Sequence, residues 1–540
     1  MRLALVTANK DEDKSKERNH RQASKGTIPP YNTGHDFIYD DDFVETHAEY
    51  AASSGEFDEE GGRLVANPES NGRFHSDWCS MMYPRLLLAR DLLANDGYMA
   101  ISIDDNELCN LRKLCDEIFG SVNFVDTIVW KKRYGGGPKE KYLVTLQDYV
   151  LIYAKNLSQI DSITVPLSDE SIARYYTRTD SSYARRGPYR THPLEANKTL
   201  DARPNLVFPI PAPDGEEVWP KRQWLWGRER VETALKNNEL EFVRDRDGGW
   251  SVQTKQYLRL EDGSVRRGKL LSIIDDVYTQ HGTNEMIDLF GEAKMFPYPK
   301  PTAFLKQLFG IVPDRDALFL DFFSGSASTA DALMQMNAED DGTRRYILVQ
   351  VQEPCEEGSL QKKNGYDFIT DIGEERVRRA AARICSETDG TNAQLRLGEE
   401  TKLLPDLGFR VLRVGDSVLR DVHADPASTG QATLLDLIDN MEEGATPLDL
   451  LFQVLPKFRI PYSCAIEERE VDGRTVLDVN GGQLLACFDE DVSTATIEAI
   501  AKARPLYAVF RDASFSDDSA VANLEELFKT FSPDTIRRVI

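Results

Sequence analysis

Between residues 76 and 93, apolar side chains fall on one helical face (Trp78, Met82, Leu86, Ala89 and Leu93). That is the three-to-four-residue spacing of an amphipathic helix laid on a core. Ser76 is placed to cap its start, and Gly97 to end it. A short apolar strand follows at 98–103. Asp104-Asp105-Asn106 then opens a second helix that carries Leu108, Leu111, Leu114 and Ile118 and is closed by Gly120. Strands at 125–130 and 149–153 complete a β-α-β-α-β series, half of a doubly wound sheet. The rhythm stops near residue 156 and resumes at 318–322, with a next strand at 346–352.

The stretches between and around these elements define the remaining organisation. Residues 9–27 are almost wholly polar and are expected to be disordered, so no buried strand is expected to lead into Pro29. Residues 156–280 carry Arg, Pro, Gly and aromatics in place of a periodic pattern and read as an inserted module. Beyond about 400, segments at 434–441, 447–454, 475–479 and 484–488 alternate helix and strand signals, as in a small α+β domain. The expected architecture is α/β, a doubly wound Rossmann-like sheet with an insert and a C-terminal α+β domain. Its parts are 1–28, an aberrant N-terminus; 29–155, one half of the sheet; 156–280, the insert; 281–400, the second half; and 401–540, the terminal domain.

Composition narrows the partners. The chain has 540 residues, too many for one core, and 90 acidic against 65 basic residues give a formal charge of −25. A nucleic-acid surface must therefore be local. Residues 171–230 supply 11 basic against 7 acidic side chains, a net +4, including Arg185, Arg186, Arg190, Lys221 and Arg222. Arg, Lys and Gln there suit phosphates and base edges, although each aromatic of the insert reads equally well as part of a small core. The seven cysteines form no CxxC pair, which argues against a zinc knuckle or disulfide framework and for a reducing compartment; no metal site is expected. No run approaches the ~18 apolar residues of a membrane helix, and a cytoplasmic protein is expected, with no membrane partner.

Candidate chemistry sits at two loops. After the apolar strand at 318–322, Ser324, Gly325, Ser326 and Ala327 let a backbone pass close to a ligand, and the following helix offers unpaired N–H groups. Glu353, past the next strand, stands where an acid could bind ribose hydroxyls. A lone turn of this kind is structural more often than not. The second loop is Pro29-Pro30-Tyr31-Asn32-Thr33-Gly34, a Pro-Pro-aromatic sequence suited to gripping the amino group of a flipped base, preceded by Ile28.

Taken in order, the Pro-Pro-Tyr loop, the basic insert and the Gly-containing turn resemble the β-class of amino-methylating DNA methyltransferases, and within it the modification subunit of Type III restriction-modification systems. The resemblance rests on Pro29–Gly34 with Asp36–Tyr39, on 96–107, on Phe296-Pro297-Tyr298-Pro299-Lys300-Pro301, on Asp321–Thr329, on 406–411 and on 510–515. Gln147-Asp148-Tyr149 stands where the family more often has His first, and Ala327 where it usually has glycine. The family also has an apolar strand and an aspartate directly before the two prolines; here the strand is expected to be missing and the residue is Ile28.

The resemblance implies adenine-N6 methylation of double-stranded DNA with a flipped adenine, S-adenosylmethionine as cofactor, a homodimer and a restriction (helicase/nuclease) subunit as partner. It implies Pro29, Pro30 and Tyr31 as catalytic residues, and Lys300, Pro301, Asp321, Phe322, Phe323, Gly325, Ser326 and Thr329, with Glu353, around the cofactor. With Ile28 one hydrogen-bond acceptor for the target amino group is lost, so impaired transfer is expected. The alternatives are a catalytically inactive DNA- and cofactor-binding subunit and, more weakly, a methyltransferase of RNA or protein amides.

Overall fold

The computed structural model describes residues 3–6, 74–136, 142–196, 203–245, 248–395, 401–415, 417–419, 441–442, 444–515 and 518–540. They divide into two units, 1–407 and 408–540. Among the described residues no helix is long and apolar enough to cross a membrane.

The first unit is built on a seven-stranded sheet. Its strands are β1 (Leu3–Val6), β2 (Tyr98–Ile103), β3 (Phe124–Lys131), β4 (Gln147–Ala154), β5 (Ile273–Ile274), β6 (Leu318–Asp321) and β7 (Arg345–Leu348). They lie in the order β5-β3-β4-β2-β1-β6-β7. All run the same way except β4, which is antiparallel to both of its neighbours.

Two expectations are corrected here. A strand does occupy the N-terminal region: Leu3 pairs with Tyr98 on one side and Phe319 on the other, and Leu5 with Ala100 and Asp321. Without these four residues, β2 and β6 would face one another across two strand spacings, about 9.5 Å, with their inner N–H and C=O groups unpaired. Second, β3 and β4 are not joined by a β-α-β crossover. They pair directly and antiparallel, a geometry that a loop can connect without a helix.

Helices cover both faces. The helix Phe74–Leu92 (α1) begins two residues before Ser76 and ends short of Gly97, and its Trp78, Met82, Leu86 and Ala89 are buried with Leu111 and Cys115 of α2 (Leu108–Cys115). They pack on Met99, Ile101 and Ile103 of β2 and on Leu151 and Tyr153 of β4. The alternate residues, Tyr98, Ala100, Val150 and Ile152, face a second core. That core is filled by Phe304, Leu305, Leu308 and Phe309 of α4 (Thr302–Phe309) and by Ala332 and Leu333 of α5 (Ser328–Asp340). Burial on both sides explains why β2 is apolar at nearly every position. Two further helices, α3 (Thr279–Phe290) and α6 (Ile369–Ala393), complete the second half.

The insert has its own core of Leu194, Phe208, Ile210, Trp224, Val231, Leu240 and Val252. Around it stands a three-stranded antiparallel sheet of Tyr189–Pro193, Trp250–Tyr257 and Leu240–Arg244. Its flanks do not belong to that core: Ile160, Ile163, Val165 and Leu270 pack against the main sheet's core, and β5 pairs with β3.

The second unit is a five-stranded mixed sheet, Ile466–Val471, Arg474–Val479, Leu484–Cys487, Tyr507–Phe510 and Ile536–Val539 in that order. One face packs on Leu450, Leu451 and Val454 of the helix Pro447–Val454, the other on Ile497, Ile500, Leu524 and Phe528. It is an α+β layer of about the composition expected; residues 434–440 lie outside the description.

Candidate cofactor and catalytic site

The topology selects one edge of the main sheet. From β1 the chain order proceeds outward to β2 on one side, whereas β6 leads to β7 on the other. In an open parallel sheet, ligands bind where that direction reverses, beyond the carboxyl ends of the strands. Here the point lies between Val6 and Asp321, with Ile103 and Lys131 ending on the same edge.

At that point the turn after β6 is drawn tight. Asp321 is buried; its carboxylate accepts from the Phe323 N–H at 3.1 Å and from the Thr329 hydroxyl at 2.6 Å. Burial raises its pKa from the ordinary 3.8 to about 6, against the opposing pull of those two bonds. Among the described residues no cation is among the groups that shift it. Two donors leave about half of a carboxylate's lone-pair positions for another partner. Gly325 N–H donates to Gln350 Oε1 at 2.8 Å, and Ser326, Ser328 and Thr329 are all buried.

Ala327 is left-handed, with φ 58° and ψ 28°, at the N-cap of α5. The position therefore requires the conformation that glycine adopts freely and alanine at a cost of about 1–2 kcal/mol. An Ala327→Gly variant is expected to stabilise the 1–407 unit by about 1 kcal/mol, part of the gain being offset by the loss of a buried methyl. The check is the urea midpoint of that unit's transition at unchanged slope; a lower midpoint would show that the methyl's packing outweighs the backbone strain.

The segment 296–301 forms a second wall. Tyr298 is also left-handed, φ 49°. Pro299 passes so close to α3 that a Cβ on Gly282 would stand 2.2 Å from its carbonyl oxygen, which is why that helix position has no side chain. Lys300 is buried 4.8 Å from the Trp130 ring centroid, and its Nζ lies 4.0 Å from Asp148 Oδ2. Asp148 Oδ1 in turn accepts from Lys132 Nζ at 2.7 Å. Burial lowers the Lys300 ammonium to about 8, with Asp148 and Asp104 opposing the shift and Lys132 adding to it.

Of the residues expected in the site, Asp321, Phe322, Phe323, Gly325, Ser326 and Thr329 share this one turn. Lys300 and Pro301 stand on the second wall, at the start of α4. Glu353 is buried beyond the end of β7, and its carbonyl accepts the first N–H of α6, from Ile369, at 2.9 Å. Pro29, Pro30 and Tyr31, with Ile28, lie outside the described residues. On the insert, Arg185, Lys221 and Arg222 are exposed, whereas Arg190 Nε donates to Gln256 at 3.1 Å. Arg186 is buried, with its guanidinium 4.2 Å from the Tyr257 ring centroid.

Several charged residues of the site escaped the sequence reading. Lys132, Asp148 and Asp104 are buried together at the sheet edge, and Arg376 is buried completely on α6. The available signal was positional. Arg376 falls on the same helical face as Ile369, Ile372, Val377 and Ala380, where an arginine is out of place unless paired.

The model of the DNA methylase family matches residues 26–381. The StyLTI Mod subunit of a Type III restriction-modification enzyme from Salmonella typhimurium is 34% identical over 368 residues, 68% of this chain and 54% of that protein. The EcoPI Mod subunit of Escherichia phage P1 is 29% identical over 77% of this chain and 65% of its own length. The chain thus spans between about half and two thirds of the length of these curated relatives. Among solved structures, the M1.HpyAVI complex with SAM aligns at a TM-score of 0.24 and 11% identity, over 55% of this chain and 81% of that one. With the family pattern matched across well over half its length, the chain belongs to the DNA methylase family.

Proposed function

We propose that the chain transfers a methyl group from S-adenosylmethionine to adenine N6 in double-stranded DNA, as the modification subunit of a Type III restriction-modification system. The observation that carries the reading is the turn after β6. It stands at the switch point of the sheet and keeps a buried carboxylate, Asp321, with no cation among the described residues that tune it. A cationic cofactor fits that environment, and Gly325, Ser326 and the N-terminus of α5 offer close backbone approach. Bound there, S-adenosylmethionine supplies an electrophilic methyl group on a sulfonium.

The remaining work falls to this chain. Adenine N6 has its lone pair delocalised into the ring and is unreachable inside a duplex, so the base must be flipped. Tyr31 stacks on the flipped base, and the Pro29 carbonyl accepts one N6 hydrogen bond. A second acceptor at position 28 would help to free the lone pair for in-line attack, and Ile28 cannot provide it. Arg185, Lys221 and Arg222 of the insert face solvent and contact phosphates or bases, while Arg186 supports the module from inside. A homodimer and a restriction subunit complete the proposed assembly; for the restriction subunit the support is that the StyLTI and EcoPI relatives are Mod subunits of Type III restriction-modification enzymes. Ile28 favours one other reading, a subunit that binds DNA and cofactor without chemistry.

The test is tritiated methyl transfer to unmethylated mixed-sequence DNA beside equilibrium binding of S-adenosylmethionine to the same chain. Saturable binding with slow incorporation into N6-methyladenine is expected. Binding without any incorporation would favour the second reading, and no binding would overturn both.

A further inference from the structure

We propose that Arg376 is a positioning residue of the cofactor site, clamping the turn after Asp321 to the Pro299–Pro301 segment so that its two walls keep one spacing. The inference rests on the cofactor reading above. The Arg376 side chain has no exposed surface. Its Nη1 donates to the hydroxyls of Ser326 at 3.2 Å and Ser328 at 2.8 Å, both on the turn and the start of α5. Its Nη2 donates to Asp331 Oδ2 at 3.1 Å, one turn further along α5, and to Glu285 Oε2 at 2.8 Å on α3. The other oxygen of Glu285 accepts from the N–H and the hydroxyl of Thr302 at 2.9 and 2.8 Å, directly after Lys300 and Pro301. A single guanidinium and one carboxylate therefore connect the cofactor turn to the opposite wall.

Stability alone does not account for this arrangement. A buried ion pair commonly does no better than well-packed apolar side chains of similar volume, because desolvation offsets the attraction. What a planar fork does supply is fixed direction toward several acceptors at once. The helix bearing it is also pressed on the turn: a Cβ at Gly373 would stand 3.4 Å from Gly325 O and 3.6 Å from the Ala327 methyl. Asp331 keeps Arg383 at 2.8 Å and Gln335 at 2.8 Å in any case, so the contacts to Ser328 and Glu285 can be cut without stranding a buried charge on α5.

Two such cuts make the experiment. Glu285→Gln retains an oxygen for Thr302 but presents an amide donor to Arg376, and Ser328→Ala removes the acceptor on the turn. Tritiated S-adenosylmethionine is titrated by equilibrium dialysis against the native chain, both single variants, the double variant and Arg376→Lys, with thermal unfolding and DNA affinity measured alongside. Each single variant is expected to weaken cofactor binding about tenfold, and the double variant by no more than the weaker-binding single. Non-additivity of that kind marks groups acting through one shared partner. DNA affinity should stay within twofold. Cofactor affinity within twofold of native in both folded singles, or effects that multiply in the double, would overturn the clamp. If Arg376→Lys does not fold, the two cuts decide. A native chain that binds no cofactor would instead overturn the proposed function itself, before any variant is compared.

Discussion

Asp321→Asn is expected to weaken S-adenosylmethionine binding about 100-fold while making the 1–407 unit more stable at pH 7. The two effects have one cause. Burial holds the Asp321 carboxyl at about 6 rather than 3.8, so its ionised form is disfavoured in the folded chain. A shift of that size corresponds to about 3 kcal/mol once the group is fully charged. Its sign follows from proton binding: between pH 4 and 6 the folded chain holds more protons at this position than the unfolded one. Stability is therefore lost as pH rises through that window and is not regained at neutrality. An asparagine can still accept from Phe323 and, at the same volume, carries no charge to desolvate, so a gain of about 1–3 kcal/mol is expected at pH 7.

The binding loss comes from removing the only charge that the turn presents from within. Truncating one partner of a desolvated charge pair commonly costs about 2–5 kcal/mol, and 100-fold lies near the lower end of that range. The native chain should also show cofactor affinity that falls as pH drops through about 6, when the carboxyl takes up its proton, and the variant should not. Thermal unfolding and cofactor titration at pH 5, 6 and 7 check all three statements. A variant that binds as tightly as the native chain, with the native pH profile, would remove Asp321 from the cofactor site.

How much of this was legible in the sequence depends on how each residue's environment is set. The helix over Trp78, Met82, Leu86 and Ala89 and the strand 98–103 follow from periodicity, because their burial is decided within the element itself. The turn after Asp321 was visible as small residues between an apolar strand and a helix. β1 was not: four apolar residues followed by a long polar run carry too little pattern, and their role comes from the slot between β2 and β6. The orientation of β4 was hidden for a similar reason, since an apolar strand reads alike in both directions. Ala327 shows the limit most plainly. The residue could be noted in place of glycine, but only the backbone, at φ 58°, says that the substitution costs anything.

Ile28→Asp is expected to raise methyl transfer by about 10²-fold at unchanged cofactor affinity. The strand slot beside β6 is filled by Leu3–Val6, so a missing central strand no longer stands as a reason for weak activity. What remains on the sequence is the absent acceptor at position 28, directly before Pro29. Removing one preorganised hydrogen-bonding group from a site where charge develops typically costs about 10²–10³ in rate, and restoring it should return a similar factor. Because the acceptor acts on the target amino group and not on the cofactor, the gain belongs in the rate of the chemical step under saturating S-adenosylmethionine. Single-turnover incorporation of tritium into duplex DNA separates that step from binding and release. An Ile28→Asn variant, which offers an oxygen without a charge, should recover part of the gain. If neither variant transfers methyl while both still bind cofactor and DNA, the acceptor is not what the chain lacks. The binding-only reading then describes it better.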